Sequence, residues 1–170
     1  MRVLNKSDKS AVPNRGTKGF SLIELLVVVA VILIIAAIAV PNFISSRMRA
    51  NEASAVQSLR NICTAQMVYS TTWGVGFSDT LSKLSGNGVV VDQNNAGLID
   101  SVLASGLKSG YVITLTPGAT DPNGNLLSFT VAADPQVPGT SGVRHFYSDQ
   151  TSAIRFNPSV PAGPGDLPIN

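Results

Sequence analysis

The sequence is short of the residues on which most enzymes depend. A single cysteine, Cys63, stands among 170 residues, so no disulfide can close within the chain. The one histidine, His145, sits in a strand-like run, and no group of His and Cys has the spacing of a metal site. No glycine loop of the phosphate-cradling kind occurs. Gly139-Thr140-Ser141-Gly142 does not match a nucleophile elbow. Charge is scarce as well: 13% of residues are Asp, Glu, Lys or Arg, against about 25% in an ordinary globular domain. These absences leave nothing for acid–base, nucleophilic or metal-assisted catalysis. The expectation is a protein that is not an enzyme and needs neither metal nor cofactor.

The formal net charge of +2 conceals two opposite parts. Residues 1–19 carry Arg2, Lys6, Lys9, Arg15 and Lys18 against Asp8, whereas the rest holds seven basic and nine acidic residues. A slightly acidic body offers no basic face for phosphates, so nucleic acid is not expected as a partner.

What the chain has in plenty is apolar surface, 44% of residues, gathered in one place. In residues 20–40 only Ser21 and Glu24 are polar. As helix this run spans about 30 Å, the thickness of a bilayer's hydrocarbon core. Five Lys or Arg precede it, while Arg47, Arg49 and Arg60 follow with Glu52 among them. The positive-inside rule then keeps the N-terminus cytoplasmic and exports the remainder. A plain transmembrane anchor would satisfy this pattern. So would a secretory signal peptide cut after Ala37-Ile38-Ala39, releasing a chain that begins at Val40. Neither accounts for Glu24, because an ionised carboxylate in an apolar helix costs roughly 2.5–3.5 kcal/mol and is kept where it has a partner.

The residues Lys18-Gly19-Phe20-Ser21-Leu22-Ile23-Glu24-Leu25-Leu26 supply a third reading. They closely resemble the prepilin peptidase site of type IV pilins and type II secretion pseudopilins. In that family a short basic leader ends in Gly, cleavage follows it, and the new first residue, usually Phe, is N-methylated. A Glu stands fifth in the mature chain and a Pro near the twenty-second place. Counted from Phe20, Glu24 is fifth and Pro41 twenty-second, so all the landmarks are in register. The resemblance implies processing between Gly19 and Phe20, and assembly roles for Glu24 and Pro41. Gly19 suits a protease because nothing projects from its backbone. Glu24 would neutralise the N-terminal amine of a neighbouring subunit. Pro41 removes a backbone donor and crowds the carbonyl four residues back, so the helix is expected to bend or loosen near Ala37.

Beyond Pro41 the pattern turns amphipathic. Val56, Leu59, Cys63 and Met67, with Ile62, form one face; Arg47, Asn51, Ser54, Ser58 and Asn61 form the other. Helix is expected through residues 69–72, with Cys63 a small buried hydrophobe and Trp73 and Phe77 apolar plugs where the helix meets the head. Residues 78–110 read as a connector. Ser78 or Asp79 would cap a turn through Leu84, Gly86-Asn87-Gly88 would turn the chain before the short run 89–91, and a helix over 95–104 would close at Gly106. The period then changes to two in residues 111–116, 126–132, 143–148 and 153–156, an antiparallel meander with a turn at Asn123-Gly124. The run Asp121-Pro122-Asn123-Gly124-Asn125 has oxygen ligands at alternate positions, as calcium loops do, but no distal acid, and reads as a turn. Four prolines mark residues 157–170 as an irregular tail.

The expected fold is α+β and pilin-like: a long N-terminal helix, hydrophobic then amphipathic, packed on a small antiparallel sheet of three or four strands. The expected segments are a cleaved leader (1–19), the long helix (20–72, with 20–40 in membrane or filament core and 41–72 amphipathic), a connector (73–110), the sheet (111–156) and the tail (157–170). The resemblance implies a structural subunit of a type IV pilus or type II secretion pseudopilus. Its implied partners are prepilin peptidase, identical or related subunits, membrane lipid before assembly, and, indirectly, an inner-membrane platform with its ATPase motor. It would sit in the inner membrane with an exported head and then enter a periplasmic or extracellular filament. The rivals are a minor, tip or DNA-uptake pilin acting as a binding module, and a membrane-anchored domain that never polymerises.

Overall fold

The computed structural model describes residues 19–86, 88 and 91–169. Residues 1–18 of the expected leader lie outside the described residues, as do Asn87 of the expected turn, Val89 and Val90 of the run after it, and Asn170. The chain divides into two compact units, Met1–Val40 and Pro41–Asn170.

Helix α1, Leu22–Trp73, is 52 residues long and contributes to both units. It begins where Ser21 and Glu24 complete half of a capping box: the Ser21 N–H donates to Glu24 Oε2 at 3.0 Å, and Leu25 N reaches Ser21 O at 3.2 Å. The helical assignment continues through Pro41. α1 ends at Gly74, whose φ of +66° few other residues adopt, and whose N–H closes the last turn on Ser70 O.

The second unit is a helix on a sheet. Short helices α2 (Leu81–Leu84) and α3 (Ser101–Ala104) lead to six strands: β1 Leu107–Lys108, β2 Tyr111–Pro117, β3 Phe129–Pro135, β4 His145–Asp149, β5 Arg155–Asn157 and β6 Leu167–Pro168. They pair antiparallel in sequence order, a meander without crossovers. β3 shows the period of two most cleanly: Phe129, Val131 and Ala133 are buried, and Thr130, Ala132 and Asp134 half-buried. The inner faces of β2, β3 and β4 meet α1 in one core that includes Leu59, Ile62, Tyr111, Phe129, Val131 and Phe146. Cys63 is buried there, its Sγ 3.3 Å from Ser148 Oγ. Trp73 packs on Tyr69 and Phe77 on Phe129, with ring centroids 4.8 and 4.9 Å apart.

Several expected details are corrected, each for a local reason. The core stripe of α1 is Glu52, Ala55, Leu59, Ile62, Gln66 and Tyr69; Ser58 is buried with it and Met67 is exposed. The cap of α2 is Thr80, whose side chain accepts from Lys83 N, because the Ser78 hydroxyl donates to Thr80 O and Asp79 pairs with Lys83 Nζ. The expected helix over 95–104 is confined to α3, capped by Asp100. Ala96, Leu98 and Ile99 give their N–H groups to the carbonyls of Lys83 and Leu84 instead of to a helix. β3 begins at Phe129 because Leu126 is taken up by bridges to Gly76, Phe77 and Thr120. β4 begins at His145 because the amides of Val143 and Arg144 bind Glu52. The tail is not wholly irregular: β6 pairs Leu167 with Phe156 and Pro168 with Arg155.

Candidate assembly site

Within the first unit, Gly19 and Phe20 precede the helix in irregular backbone, and Phe20 is 84% exposed. Both residues that flank the expected cut are exposed. Glu24 lies one turn in, and Phe20, Ile23, Glu24, Val27 and Val28 line one shallow groove along the helix. From Leu22 to Val40 every residue except the partly covered Ala36 is exposed. An 18-residue window there has a mean hydropathy of 3.3, so the helix is long and apolar enough to cross a membrane. Glu24 is the sole charged residue between Gly19 and Ser46. Its carboxylate gains from the helix N-terminus and from the Ser21 N–H, which lessen the cost of an apolar setting but leave one oxygen without a bond in the described residues.

Pro41 opens the second unit, where two polar side chains on the buried stripe of α1 hold the head. Glu52 is 6% exposed and is met by three donors from the β3–β4 connection: Val143 N at 3.0 Å, Arg144 N at 3.1 Å and Arg144 Nε at 2.8 Å. Burial pushes its carboxyl up, but the two backbone N–H groups and the guanidinium outweigh burial and hold it below the usual range. Four turns on, the fully buried Gln66 accepts from Ser78 N at 2.7 Å and donates to Ser78 O at 2.9 Å, clasping the chain as it leaves the helix. Near Glu52, Tyr111 is buried with its hydroxyl on Arg144 O at 2.9 Å; burial, and then the neighbouring Glu52 charge, push its ionisation well above the ordinary value. Burial likewise raises the Cys63 thiol, which makes it a poor nucleophile.

Gly19, Phe20 and Glu24 are thus gathered at one helix start, and Pro41 stands in the other unit. Glu52 and Gln66 were missed by sequence reasoning. Their signal is the spacing 52, 55, 59, 62, 66, 69, an unbroken helical stripe once polar residues are allowed on it. His145, in β4, is bonded through Nδ1 to Asp134 across the sheet at 2.5 Å. Asp121 caps its own turn, Oδ1 accepting from Asn123 N and Asn125 N, each at 2.8 Å.

Residues 14–40 match the prokaryotic N-terminal methylation motif. The chain is 49% identical over 53 residues to the type IV major pilin protein PilA of Myxococcus xanthus, covering 31% of this chain and 24% of that protein. It is 44% identical over 55 residues to the type IV wide pilus major component PilA4 of Thermus thermophilus, covering 32% of this chain and 42% of that one. The chain therefore spans less than half the length of these two relatives. A fimbrial protein of Pseudomonas aeruginosa is matched further, at 33% identity over 116 residues, 58% of this chain and 75% of that protein. No solved structure matches the chain. With a third of the aligned residues identical across three quarters of a fimbrial protein, and the methylation motif at its head, the chain belongs to the type IV pilin family.

Proposed function

We propose that this chain is a structural subunit of a type IV pilus, processed between Gly19 and Phe20 and polymerised through α1. The observation that carries the reading is an uncovered apolar helix with one acid in its first turn. Such a surface has two stable environments, a bilayer and a bundle of like helices. The same segment therefore serves as membrane anchor, with the head exported, and then as filament core. Two relatives are named as major pilus components, which supports a pilus over a secretion pseudopilus.

Cleavage creates an ammonium at Phe20, four residues before Glu24. In a bundle, the Glu24 oxygen left without a bond takes the ammonium of a neighbouring subunit, so both charges leave water as a neutral pair. Cleavage also removes the basic leader, whose charges hold the N-terminus at the cytoplasmic face. Pro41 marks where apolar core gives way to head and lets the helix yield during extraction.

Replacing Glu24 by Leu tests the pairing. The variant still enters the membrane and is still cut, but the subunit in the sheared surface fraction falls by about tenfold or more, the loss expected for about 1.4 kcal/mol or more per contact. Equal amounts in both fractions would remove Glu24 from assembly.

A further inference from the structure

Glycine follows asparagine twice in the chain, at Asn87-Gly88 and Asn123-Gly124. That pair of residues has a chemistry of its own. The backbone nitrogen of the second residue can attack the side-chain amide carbon of the first, and a glycine puts no Cβ in the way. Asn87 lies outside the described residues, whereas Asn123 and Gly124 are exposed at the tip of the connection between β2 and β3.

One residue ties that tip together. Besides accepting from the amides of Asn123 and Asn125, the Asp121 carboxylate takes Asn125 Nδ2 at 3.0 Å. The Asp121 backbone accepts from Gly124 N at 3.0 Å and donates to Asn125 O at 2.9 Å. Thr120 bridges Leu126, which is 8% exposed and also bridges Gly76 and Phe77. The tip is thereby fixed to buried structure. The nitrogen that would attack, Gly124 N, is itself one of the donors that close the turn.

We propose that Asn123 is a site of spontaneous deamidation, held in check by Asp121 while this turn is closed and released when it opens. Gly124 N gives its proton to water or hydroxide and bonds to Asn123 Cγ. The bond from Cγ to Nδ2 then breaks and ammonia leaves. Water opens the resulting cyclic imide at either carbonyl, giving aspartate or isoaspartate, with no change of oxidation state. The closed turn opposes this twice. Gly124 N–H must surrender its bond to Asp121 O before it can ionise. Hydrogen bonds, first that from Asn125 N, hold the Asp121 carboxyl below the usual range, and the resulting negative charge repels the anion that forms at Gly124. Isoaspartate carries the main chain through the side-chain carbon and lengthens it by one atom, so the three amides of residues 123–125 no longer converge on Asp121. The modified loop loosens from Leu126, and with it the bond from Phe77 N to Leu126 O where the chain leaves α1. The modification thus records openings of this loop.

The test incubates the full-length subunit in detergent at mildly alkaline pH. Peptide mapping by mass then follows amide-to-acid conversion and isoaspartate at Asn123. Wild-type Asn123 should convert at least about threefold more slowly in the folded subunit than in the urea-unfolded chain, the factor that one ordinary hydrogen bond supplies. Asp121→Ala, with the near-ultraviolet dichroism of Trp73 retained, should raise the folded rate at least about threefold. Asp121→Asn keeps an acceptor oxygen but not the charge, and should fall between the two. The Asn87-Gly88 peptide of the same digest is the reference, and its rate should not follow the Asp121 variants. Equal rates in folded and unfolded wild type, no conversion at Asn123 in the unfolded chain, or a wild-type rate in Asp121→Ala overturns the proposal. A parallel rise at Asn87 would mean general unfolding and overturn it too. Should Asp121→Ala lose the Trp73 signal, Asp121→Asn decides: a rate above wild type supports the proposal and an equal rate overturns it.

Discussion

Two acids on one helix are placed by opposite physics. Glu24 stands in an exposed apolar segment with one backbone donor, from Ser21, among the described residues. Glu52 is enclosed and fully used by Val143 and Arg144. Glu52→Ala would strand two backbone N–H groups and the Arg144 guanidinium, a loss of about 2–4 kcal/mol. Glu52→Gln should cost less, because its amide oxygen still accepts from both amides. Unfolding of the intact subunit in detergent, followed by near-ultraviolet dichroism of Trp73, measures both. The pH dependence has a definite sign. The folded-state pKa of Glu52 is lowered, so its contribution is present above the unfolded value of about 4.3 and is lost as pH falls through the folded value. Glu52→Gln should therefore approach the wild type in stability at acid pH and fall behind it near neutrality; a constant difference would contradict the assignment.

At the scale of elements, the head is aligned on α1 by contacts that side-chain volume alone would not specify. Gly142 is an example: it is buried against Tyr111, and a Cβ there would overlap the phenol. Gly142→Ala is expected to cost about 1–3 kcal/mol. Combined with Tyr111→Phe it should cost less than the sum, because the hydroxyl is the nearest atom to the added methyl. A denaturant series on the two single variants and the double variant decides; strict additivity would mean that the close approach has no energetic weight. The same interactions mark where the sequence could be interpreted. α1 and the alternating strands follow from periodicity, since each buries one regular face. The starts of β3 and β4 do not, because Leu126, Val143 and Arg144 have strand-like side chains whose backbone groups are claimed by residues far away in sequence. Residues 96–99 have a helix-like composition, yet the amides of Ala96, Leu98 and Ile99 belong to the carbonyls ending α2. β1 and β6 are two residues each and carry too little pattern to detect. The buried stripe of α1 includes Glu52 and Gln66, two polar residues that apolar periodicity does not place on it.

For the whole molecule, the division of labour follows composition. Among the described residues the first unit is almost all apolar surface with one acid, and the second holds a closed core whose acids are bonded to side chains or to donors of their own turns. The candidate processing residues were legible because a glycine, an aromatic and an isolated acid stand at set places before a long apolar run. The clamp on the head was not, since Val143 and Arg144 are distant in sequence from Glu52, and their meeting depends on the fold. In the proposed function both units serve one end, a subunit stored in a membrane and consumed in a filament. That account is tested most directly by the intact mass and N-terminal sequence of the protein from membranes and from sheared surface material. A chain beginning at Phe20 with one added methyl group, present in both fractions, is the expected result. A chain beginning at Val40 would show that the apolar segment is an ordinary signal peptide and would contradict the account.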